Sequence, residues 1–264
     1  MSILVRATWC KVAVVVLACA GVAAGVAAAS SASTPPPVDH QLCYTVSGGT
    51  FKIPTGVRLQ NQFSPKGFTP QISPKAVLHC NPVVKMVQGQ QFPITNPNAH
   101  LACFQIHSST TQPTPTVVVT NQFGSAVLRP SQPNLLCVPS WKSLTGPPNK
   151  TPTTPPGLNH FTCYPVKVAS GQYHPPPVLL QDEFSQKPVP AQVSPVPVLL
   201  CLPTAKTVGT HLFKIINPAT HLLCFPVSKT PIRPTIWDEN QFGTVKLTVT
   251  ATRLLCVPST KKLG

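Results

Sequence analysis

Four times the sequence sets a His three residues before a Cys: His40 and Cys43, His100 and Cys103, His160 and Cys163, His221 and Cys224. Imidazole nitrogen and thiolate sulfur are zinc ligands, so a recurring His-x-x-Cys pair raises metal chemistry first. Strand geometry argues against it. Each Cys is followed by an aromatic and, two residues further, by Val or Ile: Tyr44 and Val46, Phe104 and Ile106, Tyr164 and Val166, Phe225 and Val227. This alternation reads as a strand, on which His and the following Cys point to opposite faces while His and the aromatic share one. The pattern predicts structural histidines at strand entrances, with no metal and no cofactor.

The carboxylates argue likewise. Asp182-Glu183 and Asp238-Glu239 are sequence neighbours that a strand sends to opposite faces, which disfavours a paired-carboxylate centre. The sequence carries no Gly-rich phosphate loop, Gly-x-Ser-x-Gly elbow or His-Glu-x-x-His helix, so an enzyme is not expected, and a metal-dependent secreted enzyme ranks last among the readings. His79, His107, His174 and His211 have no counterparts in the other copies and read as surface histidines. Trp141, beside Lys142, stands where the other copies have Val84, Ala205 and Thr260, and Trp237 falls in the outward parity of its strand. Trp141, Lys142, Tyr173 and Trp237 therefore form a candidate binding surface, with flat apolar faces for a sugar ring or a partner.

These residues are positioned by a repeat. After each opener phrase comes a centre, Asn61-Gln62-Phe63, Asn121-Gln122-Phe123, Asp182-Glu183-Phe184 and Asn240-Gln241-Phe242. Then comes a Leu-x-Cys-x-Pro-x-x-Lys closer: Leu78 to Lys85, Leu135 to Lys142, Leu199 to Lys206 and Leu254 to Lys261. The first copy predicts strands over 42–46 and 57–63, with the centre Asn or Asp at a turn or bulge. Copies alternate between a longer form with Tyr after the first Cys and a shorter form with Phe. With 34 Pro and 14 Gly, long helices are excluded. The reading is all-β: two tandem β-sandwich or small-barrel domains over 39–144 and 158–264, each built from two disulfide-stapled repeats of about 60 residues, joined by a Pro- and Thr-rich linker over 145–157.

Residues 1–29 read as a cleaved signal peptide: Arg6 and Lys11, then an apolar run from Val12 ending in Ala27-Ala28-Ala29. A Pro-rich lead-in occupies 30–38. An uncleaved segment would instead anchor the chain at the cell surface, the one route to a membrane. Secretion makes disulfides the expectation for Cys43, Cys80, Cys103, Cys137, Cys163, Cys201, Cys224 and Cys256. Pairing each opener with its own closer satisfies every copy alike: Cys43 with Cys80, Cys103 with Cys137, Cys163 with Cys201, Cys224 with Cys256. A symmetric exchange such as Cys43 with Cys137 and Cys80 with Cys103 remains the alternative. Beyond the signal segment only Asp39, Asp182, Glu183, Asp238 and Glu239 are acidic, within a chain of net charge +15. An anionic extracellular polymer is the favoured partner, and an envelope protein bound by a structural or interaction module is the alternative. The cations come singly, without Arg-rich stretches, which argues against nucleic acid.

The combination of Cys-Tyr or Cys-Phe opener, Asn/Asp-Gln-Phe centre and Leu-x-Cys-x-Pro closer resembles a repeated domain of secreted bacterial proteins known only as a domain of unknown function. The resemblance runs from Asp39 to Leu263 and is weakest at Asp182-Glu183-Phe184. It implies extracellular placement and carries over no activity.

Overall fold

Every repeat contributes two long strands that alternate in facing, and their pairing decides the architecture. In the computed structural model, which describes residues 38–264, the openers are Gln41–Gly48, His100–His107, His160–Tyr173 and His221–Pro226. The closers are Gln71–Pro82, Leu135–Ser143, Leu199–Val208 and Gly243–Leu263. The expected signal peptide, and the lead-in up to residue 37, lie outside the described residues. Each opener pairs antiparallel with its own closer. Each closer then pairs with the opener of the next repeat. The last closer returns to the first opener, with Gln41 opposite Cys256 and Cys43 opposite Leu254. The result is a closed antiparallel barrel in chain order, a ring without an open edge.

The all-β class and the four disulfides are present, and the small barrel is formed once, by all four repeats together. The division into separate domains over 39–144 and 158–264 is therefore corrected: the described residues fall in one compact unit. Both seams between the halves are hydrogen-bonded ladders, the second closer on the third opener and the fourth closer on the first opener.

One parity of each barrel strand faces the lumen. There Cys43 stands opposite Cys80, Cys103 opposite Cys137, Cys163 opposite Cys201 and Cys224 opposite Cys256, and each pair is disulfide-bonded. Neighbouring bridges touch, Cys43 Sγ lying 3.8 Å from Cys256 Sγ and Cys137 Sγ 3.9 Å from Cys163 Sγ. Leu78, Leu101, Leu135, Leu199, Leu222, Leu254 and Phe161 fill the rest, with Gln41 beside them. The cavity left between them is about 20 Å³, so the lumen is a packed plug of sulfur and leucine rather than a channel. Each bridge closes a loop of 32 to 38 residues, worth roughly 3 to 4 kcal/mol in the chain-entropy picture.

The other parity faces outward and is buried too, under the centres. Each centre belongs in space to the repeat two places away. Arg58–Gln60 pairs with the third closer, and Val178–Gln181 pairs with Val84–Val87, the continuation of the first closer. Val117–Asn121 pairs with the fourth closer and Thr235–Asn240 with the second. The aromatic rings exchange in the same way: Tyr44 meets Phe184, Phe104 meets Phe242, Tyr164 meets Phe63 and Phe225 meets Phe123, edge to face at 5.1 to 5.4 Å. The strand expected over 57–63 shortens to Arg58–Gln60 because the Asn61 carboxamide accepts the Phe63 amide at 2.9 Å, closing an Asx turn. Asn121, Asp182 and Asn240 do the same for Phe123, Phe184 and Phe242.

Because the halves exchange their centres, neither can bury its aromatic face alone. Fragments 38–144 and 158–264 expressed separately should lack near-ultraviolet circular dichroism and slow amide exchange, and should regain both when refolded together. Native-like signals from either fragment alone would contradict the shared barrel.

Candidate functional site

The closer Lys recurs in all four copies, and the fold buries its side chain at Lys85, Lys142 and Lys206 and half-buries it at Lys261. Lys85 stands opposite Leu180, Lys206 opposite Leu59, Lys261 opposite Val119 and Lys142 opposite Asp238. Each ammonium then lies over the centre Phe of the next repeat, Lys85 over Phe123, Lys142 over Phe184, Lys206 over Phe242 and Lys261 over Phe63, at 4.3 to 5.1 Å from the ring centre. Lys85 and Lys206 are wholly buried, with a second Phe at 4.2 Å, Phe92 and Phe213, and no hydrogen-bond acceptor at Nζ. Burial outweighs the ring faces and pushes both amines down to about 7.

Two of the four repeated histidines complete these boxes. Gln122 donates to His40 Nε2 at 2.9 Å, and His160 Nε2 meets Gln241 Oε1 at 3.0 Å. Burial first, and the neighbouring Lys second, hold His40 and His160 down to about 3. Their partners are glutamines of the centre, and among the described residues no group of three or more His, Cys, Asp or Glu is placed to hold a metal ion.

The box around Lys142 departs from the other three in several positions at once. His79 and Asn81 occupy places where the other closers have Leu136 and Val138, Leu200 and Leu202, Leu255 and Val257. Asp238 replaces the apolar Leu59, Val119 and Leu180, while Asp182 and Glu183 replace the Asn and Gln of the other centres. All five converge. His79 Nδ1 lies 2.8 Å from Asp238 Oδ2 and its Nε2 lies 3.1 Å from Asn81 Oδ1. Asn81 Oδ1 also takes Lys142 Nζ at 2.8 Å and His100 Nδ1 at 3.1 Å, and Asn81 Nδ2 donates to Asp182 Oδ2 at 2.7 Å. The Tyr44 hydroxyl donates to the same Asp182 oxygen at 2.7 Å, and Glu183 ion-pairs with Lys142. Ser140 and Asn240 donate to Asp238.

Charge in this cluster is set by burial. It pushes the Lys142 amine down to about 8, against the pull of Glu183, Asp182 and Asp238. Burial, then Lys142 and His79, hold His100 well below the ordinary His value. The Tyr44 phenol is raised by burial and by Asp182. His79 is fully buried, which corrects its reading as a surface histidine; His107, His174 and His211 are exposed. A comparison of columns rather than of phrases would have found the cluster, since three polar residues stand in otherwise apolar columns.

Of the expected binding surface, the structure brings two residues together. Trp237 lies opposite Ser143, and Glu239 opposite Trp141, which puts both indoles on one face of the ladder. Trp141 donates from Nε1 to Pro152 O at 2.8 Å, and Lys150 and Lys246 each sit 5.9 Å from an indole ring centre. Lys142 is corrected, because it projects from the opposite face into the buried cluster. Tyr173 is corrected as well, since it is 1% exposed and its hydroxyl donates to Val119 O at 2.8 Å.

His79→Leu takes one of three donors from the buried Asp238 carboxylate, leaving Ser140 and Asn240, and should lower unfolding stability by about 1 to 3 kcal/mol. Adding Asp238→Leu, which restores the apolar pairing of the other repeats, should recover most of that loss in denaturant titrations. The aromatic boxes set a pH dependence. Lys85 and Lys206 release their protons in the fold at about 7 rather than at the ordinary 10.5, so the unfolded chain binds more protons in that window and stability rises with pH across it. Thermal unfolding should show this rise, and Lys85→Met with Lys206→Met should flatten it.

One family model matches residues 100–258, under the description Repeat of unknown function (DUF7450). No curated protein and no solved structure matches the chain. The matched residues run from the second opener into the fourth closer and make up more than half of the chain, which belongs to the family described as Repeat of unknown function (DUF7450).

Proposed function

We propose that the protein is a secreted, non-catalytic structural module that binds or coats an anionic surface polymer. The observation that carries this reading is the fate of its charges. Asp39 is spent on the Thr95 and Asn96 amides at 2.9 and 2.8 Å, and Glu239 accepts from the Lys150 amide at 3.1 Å. Asp182 and Asp238 lie in the buried cluster, and Glu183 is paired with Lys142. Lys52, Arg58, Lys66, Lys75, Lys187, Lys229, Arg233 and Arg253 are exposed, and none has a carboxylate partner among the described residues. The surface field is thus positive and uncompensated, which draws in polyanions.

The rest of the molecule fits a scaffold role. Four disulfides are typical of extracellular proteins. The lumen is filled and offers no ligand cavity. The Trp141 and Trp237 faces, flanked by Lys150 and Lys246, suit stacking on the sugar rings of a charged polysaccharide.

The test is retention of the purified chain on heparin beads against uncharged agarose. Retention at low salt, with release as ionic strength shortens the screening length toward about 8 Å, is expected. Lys150→Glu with Lys246→Glu should elute earlier than the parent chain. Flow-through at low salt, or binding that ignores salt, would overturn the polymer reading.

A further inference from the structure

The Lys142 cluster holds the parts of an amide-forming reaction within a single chain. Lys142 Nζ lies 2.8 Å from Asn81 Oδ1, and both side chains are sealed from solvent. The carbonyl oxygen has two further nitrogens aimed at it, His79 Nε2 and His100 Nδ1, each at 3.1 Å. The amide nitrogen donates to Asp182 at 2.7 Å, and Glu183 touches the Lys142 amine. Burial also favours the free amine of Lys142, with its pKa near 8. The other three Lys boxes keep the opener His but have apolar residues at the His79 and Asn81 positions and Asn and Gln in place of Asp182 and Glu183. Packing alone does not call for these four side chains. An amine beside a carboxamide, donors at the oxygen that gains charge and carboxylates at both nitrogens are what aminolysis requires.

We propose that Lys142 and Asn81 form an intramolecular isopeptide bond. Lys142 Nζ adds to Asn81 Cγ, and the charge that develops on Oδ1 is met by the His79 and His100 nitrogens. The proton shed by Nζ is carried by the neighbouring carboxylates Glu183 and Asp182 to Nδ2, which Asp182 already contacts. The Cγ–Nδ2 bond breaks and ammonia leaves, while the new Cγ–Nζ amide remains. One amine and one primary amide become one secondary amide and ammonia, and nothing is oxidised or reduced. The reaction occurs once per chain. It links the first closer to the second, which flank the second opener, by a bond that thiols cannot break. This inference stands on the cluster alone and does not depend on polymer binding.

The experiment is intact mass spectrometry of the full chain, reduced and denatured, followed by peptide mapping. The expected mass is lower by one ammonia than that of the reduced sequence beginning at the residue actually found at the N-terminus. A branched peptide should join the Asn81 segment to the Lys142 segment. Lys142→Arg and Asn81→Ala should each restore the full mass and remove the branched peptide, and Asp182→Asn should leave a mixture. An unshifted mass in the parent chain would overturn the proposal, and needs no variant to fold. So would loss of ammonia without the branched peptide, or loss of water with Lys142 joined to Glu183.

Discussion

Backbone pairing around a closed ring is the constraint on which the rest of the structure depends. An antiparallel sheet built from one or two repeats would leave unpaired amides and carbonyls at its edges. Here the last closer pairs with the first opener, and every strand of the ring has two neighbours. Closure makes two apolar surfaces out of one alternation. Inward residues meet around the axis, where cystines, leucines and Phe161 fill the space. Outward residues need a cover, which the centres supply.

The cover explains why the repeat has two forms and why its Lys is kept. The longer repeats carry Tyr, whose hydroxyl reaches the centre of the opposite longer repeat: Tyr44 to Asp182 and Tyr164 to Asn61. The shorter repeats carry Phe and need no acceptor there. The closer Lys lies flat between centre and barrel, and its stem adds apolar contact while its amine is accommodated by Phe rings. Burying an amine this way is costly, and the cost is visible in the depressed proton affinity of Lys85 and Lys206. Around Lys142 the solution is different: carboxylates, a carboxamide and a histidine replace the apolar lining, and the buried charges are compensated within one network.

Much of this was legible in the residues. The opener's alternation separates Cys from the aromatic, and the Asn of the centre marks a turn. The identity of the neighbouring strand was not legible, because alternation specifies which face is apolar and says nothing about what covers it. The pairing of Cys43's strand with that of Cys256 spans 213 residues, and no local signal marks it. The need to leave no open edge does not fix how many repeats share a sheet, and closure by four satisfies it completely. Tyr173 was misread for a related reason. It lies at the end of an opener that runs on to pair with Gly124–Pro130, so a residue outside the repeat became part of the core. The Lys142 cluster escaped because Asp182 and Asp238 belong to different centres, brought together only by the exchange between halves.

The closed ring is tested most directly by native-state amide exchange read segment by segment. If the barrel closes, the amides of 41–45 and 254–256 exchange as slowly as those of 101–105 and 135–138 in the interior of the second repeat. They also open with the same free energy, as one cooperative unit. If the first opener and last closer instead exchange rapidly, as edge strands do, while each half keeps its own protected core, the account of a single shared barrel is wrong.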